Sequence, residues 1–223
     1  MVANAGNMID LQQMKEEGIS EEEWKKTTMA MSNGKVVNFF TGSLVIDGQN
    51  QPSQSLTLKR GVARFDLNVD VAGSAAIESL TLKNVAQSGY LFAQGEVAAS
   101  PADVERNDVT AHFDTALSAS TPGVLYVYEQ ENAGIEVSIE AVIDGQHKVL
   151  TKTLEGNLKR NTIYTVTEPD LPSVTETVKS RSWSNDLSVS VGIQLHMGLG
   201  KKKVKVKNFP QPEHNPTGEN NIQ

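Results

Sequence analysis

Hydrophobic and polar positions alternate in short bursts over most of this chain, and turn-forming residues separate the bursts. The cleanest run is Leu187, Val189, Val191, Ile193 and Leu195, each followed by a polar or small residue. Ile135, Val137, Ile139, Ala141 and Ile143 alternate with Glu136, Ser138 and Glu140 in the same way. Phe65, Leu67 and Val69 oppose Arg64, Asp66, Asn68 and Asp70, and Leu80 and Leu82 repeat the pattern. A period of two is that of an antiparallel strand with one face on a core and one in water. The polar set around Asp66 and Asp70 therefore reads as a solvated face. The run VLYVY, residues 124–128, is apolar throughout and predicts burial on both faces. Further strands are expected over 36–41, 43–46, 55–59, 147–154 and 160–166. Asn33-Gly34, Asp47-Gly48 and Asp144-Gly145 are dipeptides suited to tight turns between them.

A helical period shows only near the N-terminus, where Ile9, Leu11, Met14 and Ile19 are spaced for one face, interrupted by Gly18. Ser20 followed by Glu23 is a capping box, in which the hydroxyl takes an orphan amide and the carboxylate reaches back. Glu21, Glu22 and Glu23 then stand at the positive end of the helix dipole, with Lys25 and Lys26 toward the negative end. One short helical segment among many strands predicts an all-β chain of β-sandwich architecture. Residues 98–107 are poor in large apolar side chains and are read as a domain junction. The expected division is an N-terminal sandwich over 1–100, a C-terminal sandwich over 101–207 and a disordered tail over 208–223.

The net charge is −7, with 27 acidic residues against 20 Lys and Arg, and only 5% of residues are aromatic. This excludes general affinity for nucleic-acid phosphates and leaves few rings for stacking bases. There is no cysteine, so disulfides, thiolate metal sites, a cysteine nucleophile and lipidation at a cysteine of this chain are all excluded. No window approaches the roughly 18 apolar residues of a membrane-spanning helix. The opening MVANAGNMIDLQQ lacks the basic and apolar regions of a signal peptide.

Chemistry is sparse. His112, His147, His196 and His214 are scattered and match no metal-ligand spacing. No Gly-x-Ser-x-Gly or nucleotide-binding loop occurs, and GLGKKK at 198–203 has neither the order nor the helix of one. Asp47, Asp66 and Asp70 form no calcium loop. Neither a catalytic residue nor a cofactor is expected. Tyr126, with Tyr128 and Trp183, is a candidate carbohydrate-stacking shelf, against the reading of strand aromatics as core. The basic run KKKVKVK at 201–207 is either a lysine-guarded edge strand or a contact for an anionic surface.

Several words of the sequence resemble the fimbrillin family, the fimbrial subunits and accessory proteins of Bacteroidales. They are LTLKRGVARFDL at 56–67, IESLTLKNVAQSGYLF at 77–92, YVYEQENAGIEVSIEAVIDG at 126–145 and LKRNTIYTVT at 158–167. VANAG at 2–6 and MAMSNGK at 29–35 resemble earlier family passages, with Ala30 where proline is usual. The resemblance implies two β-sandwich domains of transthyretin-like, Greek-key topology, export as a lipoprotein, and removal of an N-terminal strand by an arginine- or lysine-specific protease. A strand from another subunit then fills the groove. By this resemblance the chain is a shaft, tip or accessory subunit of a fimbria at the cell surface, and its partners are other subunits joined by β-augmentation. Residues 187–195 are the candidate donor, competing with a permanent strand of the chain's own fold. Family members also carry a long segment before the VANAG-like strand. Met1 stands almost on that strand here, so missing strands and an exposed sheet edge that invites dimerisation are expected. The alternative function is an adhesin module that binds glycan or host protein without polymerising.

Overall fold

The computed structural model describes residues 1–5, 9–45, 53–69, 74–168, 177–182 and 187–192. In chain order its elements are β1 (Val2–Ala3), α1 (Leu11–Glu16), α2 (Glu21–Lys25), β2 (Thr28–Ala30), β3 (Phe40–Thr41), β4 (Ser53–Arg60) and β5 (Val62–Val69). There follow β6 (Ala75–Ala86), β7 (Ser88–Tyr90), β8 (Arg106–Leu117), β9 (Thr121–Tyr128), β10 (Glu136–Ile143), β11 (Gln146–Thr153), β12 (Thr162–Glu168), β13 (Thr177–Ser182) and β14 (Leu187–Gly192). The fold is all-β apart from two short helices.

Two four-stranded sheets make the main sandwich. One has the order β11-β10-β6-β8 and is antiparallel throughout; the other has the order β13-β12-β5-β9, with β5 and β12 parallel. The alternation read from the sequence is what faces inward. Ile135, Val137, Ile139, Ala141 and Ile143 are all buried, and they meet Ala63, Phe65 and Leu67 of β5 and Tyr164 and Val166 of β12 in one core. Phe65 stacks on Tyr164 with centroids 5.2 Å apart. The β10–β11 hairpin turns on Asp144-Gly145, whose φ values of 49° and 77° are those of a two-residue type I′ turn.

β6 shows why a strict period of two fails along a long strand. The side chains it sends into the main core are Ile77, Leu80, Leu82 and Val85, so the parity changes twice. The first change coincides with a register shift against β10, where Ile77 and Ser79 face Ala141 and Glu140. The second coincides with one against β8, where Leu82 and Val85 face Val109 and Asn107 and Asn84 has φ 61°. Each bulge adds a residue and turns the next side chain back onto the core. Asparagine tolerates that left-handed backbone better than most residues.

Strands from both sides of residue 100, where the junction was expected, meet in this sandwich. β6 pairs with β8 and β10, and Gln87 N–H donates to the Glu105 carbonyl at 2.8 Å. The segment 98–107 thus runs between β7 and β8, beside the edge of a shared sheet. A second, smaller apolar cluster holds Ala5, Met29, Phe39, Val62, Leu91 and Tyr128. The apolar run 124–128 serves both, as its uninterrupted pattern predicts. Leu125 and Val127 enter the main core, while Tyr128 enters the smaller cluster and Tyr126 packs against it.

The single helical segment expected at the N-terminus is two helices. Asp10 Oδ1 caps α1 by accepting the Gln12 and Gln13 amides. Gly18, at φ 68°, ends it: Gly18 N–H reaches the Lys15 carbonyl and Ile19 N–H the Met14 carbonyl, a Schellman closure. The capping box on α2 is formed as expected, with Ser20 Oγ accepting Glu23 N–H and the Glu23 carboxylate accepting Ser20 N–H.

The polar face of β5 is covered at Asp66, while Asn68 is half-buried and Asp70 lies outside the described residues. Asp66 is 8% exposed, pairs with Arg64 through two hydrogen bonds of 2.7 and 2.8 Å, and accepts Gly123 N–H at 2.8 Å. A residue count places side chains on a face but does not say whether that face is covered. Here β9 covers it.

Candidate functional site

The motif 56–67 is two strands, with Gly61 between them. β5 belongs to the main sandwich, while β4 belongs to a separate sheet of order β1-β3-β4-β14. Gly61 is required at the joint. A Cβ there would lie 2.0–2.7 Å from three carbons of the Phe39 ring, so only a glycine lets the ring lie over the backbone.

β4 buries Leu56 and Leu58 and leaves Ser55, Thr57 and Lys59 exposed. β3 pairs with its end, Phe40 opposite Arg60 and Thr41 opposite Lys59, and the Arg60 guanidinium lies 5.0 Å from the centre of the Phe40 ring. The rest of the ladder comes from the far end of the described chain. β14 pairs antiparallel with β4, placing Leu187 opposite Leu58, Val189 opposite Leu56 and Val191 opposite Gln54. Directly opposed positions of an antiparallel pair share a face. The register thus sets the first three apolar positions of the candidate donor on the face where β4 is buried. β14 stands last in the order of its sheet. Ile193 and Leu195 lie outside the described residues.

Arg160 ties this sheet to the sandwich. Its Nε donates to Glu129 Oε2 at 2.7 Å, Nη2 to the Tyr90 carbonyl at 3.0 Å, and Nη1 to the Leu91 carbonyl at 3.1 Å and Thr41 Oγ1 at 3.4 Å. Both side chains of the ion pair are about nine-tenths buried. One planar fork thereby joins the start of β12, the segment after β9, the end of β7 and β3, the strand that pairs with β4. Tyr128 does similar work in the smaller cluster, accepting Val37 N–H and donating to the Ala30 carbonyl. Burial pushes its hydroxyl above the ordinary tyrosine range. Tyr164 is raised for the same reason.

Of the candidate aromatic shelf, Tyr126 is half-buried against the smaller cluster, Tyr128 is 1% exposed, and Trp183 lies outside the described residues. His112 and His147 are exposed on β8 and β11, His147 lying 3.5 Å from Glu78; His196 and His214 lie outside the described residues. An aromatic pair not foreseen from the sequence, Trp24 with Phe92, meets edge to face at 5.5 Å. No helix of the described residues is long and apolar enough to cross a membrane.

No family model matches the sequence, and no curated protein matches it closely enough to count. Solved structures do. A candidate cell adhesion protein from Parabacteroides distasonis superposes with a TM-score of 0.55 at 15% identity, over 82% of this chain and 74% of that one. A tip fimbrial protein from Porphyromonas gingivalis, truncated at its C-terminus, gives 0.54 at 14% identity, over 82% and 78%. A candidate cell adhesion protein from Bacteroides eggerthii gives 0.51 at 14%, over 82% and 76%. The fold is therefore one that proteins given to fimbriae and cell adhesion also adopt.

Proposed function

We propose that this chain is a structural, tip or accessory subunit of a bacterial fimbria at the cell surface, a non-enzymatic protein that joins its neighbours by β-strand addition. The observation that carries the reading is the pairing of β14 with β4. The ladder of an early strand is completed by a segment more than a hundred residues later, and that segment follows β13 across from one sheet to another. A terminal strand that closes a sheet through main-chain bonds makes the same bonds when it comes from a second copy. The likeness of fold to a tip fimbrial protein supports the reading. Residues 187–195 are the donor, and the groove beside Leu56 and Leu58 is the acceptor.

The test is Val189→Pro. Proline removes the amide at the centre of the β14 ladder. Oligomers sized by light scattering should fall to monomers, and a synthetic peptide of residues 187–195 should then bind the variant. Oligomers that persist in the variant would contradict strand addition. A monomeric parent chain that binds glycans on an array would favour the non-polymerising adhesin instead.

A further inference from the structure

The corner between α1 and α2 carries an open, largely apolar hollow of about 160 Å³, lined by Met14, Lys15, Ile19 and Trp24. It is held in place from three sides. The Schellman closure brings Ile19 back over Met14, Phe92 braces the Trp24 ring, and Gln94 Nε2 donates to the Lys25 carbonyl at 2.8 Å. Around it Glu16, Glu17, Glu21, Glu22 and Glu23 are all exposed, and residues 10–26 carry a net charge of −3. Lys25 is already paired with Glu21. At the other end of the sequence, outside the described residues, KKKVKVK at 201–207 carries five lysines and two valines.

We propose that this hollow receives the 201–207 segment of a second copy of the chain. Val204 and Val206 are two positions apart, so an extended segment presents both on one side. Their size suits the hollow, Lys202 shares their side, and the long stems of Lys203, Lys205 and Lys207 bend from the opposite side toward the glutamates of the rim. Lys15 opposes a cationic guest; its stem stays on the apolar wall while its ammonium turns to water. The choice of a second copy rests on the fimbrial reading. An acidic N-terminal corner that takes a basic C-terminal run is a heterologous, head-to-tail contact, and such contacts propagate along a filament.

The experiment mixes equal amounts of unlabelled and nitrogen-15-labelled full-length chain and applies a carbodiimide, which joins a lysine amine to a carboxylate with loss of water. The expected product is a peptide pair linking 201–207 to a glutamate of 16–23, with one half labelled and the other not. Its yield should fall roughly fivefold in Glu22→Lys, where one surface attraction becomes a repulsion, and it should fall with added salt. Glu22 is exposed, so circular dichroism of that variant should match the parent. Pairs of a single isotope only, which mark docking within one chain, would overturn the proposal. So would the absence of these pairs, or a yield that Glu22→Lys leaves unchanged. Exchange of β14 is read elsewhere, by Val189→Pro. Mixed pairs that survive in that variant together with oligomers would leave this contact standing and remove the strand-addition reading; oligomers lost in that variant, with no mixed pairs in the parent, would do the reverse.

Discussion

Arg160 shows how a single side chain holds the layers of this protein in register. Its partner Glu129 is as deeply covered as the guanidinium itself, so Arg160→Ala would strand a buried carboxylate. A loss of about 3–5 kcal/mol is expected from denaturant unfolding. Arg160→Lys should recover part of this, because a point charge serves Glu129 but cannot also span the Tyr90 and Leu91 carbonyls. The tyrosines predict a pH response at the same scale. Burial raises Tyr128 and Tyr164 in the folded chain, so above about pH 10 the unfolded chain releases protons that the folded one keeps. The stability they contribute is whole below that pH and is lost as pH rises through the raised values. Tyrosinate absorbance should show part of the four-tyrosine signal appearing only with unfolding. The start of a strand at Arg160 was legible in the sequence. Glu129 was not, since it lies 31 positions away and nothing local marks the pair.

At the scale of elements, α2 is the most local structure in the chain and was the most legible. Ser20 and Glu23 satisfy each other's backbone over three residues, and no tertiary contact is needed to see it. Ser20→Ala should cost about 1 kcal/mol by thermal or denaturant unfolding. Hydrogen bonds from Ser20 hold the Glu23 carboxyl below the usual glutamate range. Its contribution is therefore present above the unfolded value and lost as pH falls through the lowered one, and the cap should fray in acid. The strands were legible wherever a period of two held, as in β10. They were not wherever a bulge reset the parity, as at Asn84 in β6. The buried Arg64–Asp66 pair was misread for a related reason, because what covers a face comes from a distant strand, here Gly123 of β9.

For the whole molecule, the pairing of strands decides the architecture, and pairing is what local alternation cannot report. Residues 98–107, poor in large apolar side chains, were read as a junction, yet the strands before and after them share a core. Equally, 56–67 is one continuous motif of the resemblance, while Gly61 divides it between two sheets. β14 was expected as a strand, either a donor to another molecule or a permanent strand of its own fold, but its place beside β4 follows only from the three-dimensional ladder. That placement makes the smaller sheet depend on a late segment of chain. Loss of β14 should therefore uncover Leu56 and Leu58 while leaving the main core closed.

The most direct measurement uses the absence of cysteine from the chain. Ser188 lies opposite Thr57 in the β14–β4 ladder. Chains of Thr57→Cys and chains of Ser188→Cys, mixed under assembly conditions and oxidised, should form a 57–188 disulfide between molecules, whereas Ser190→Cys, out of register by two, should not. If the double variant closes within one chain and the mixed chains never join, β14 belongs to its own molecule alone, and assembly by strand addition is contradicted.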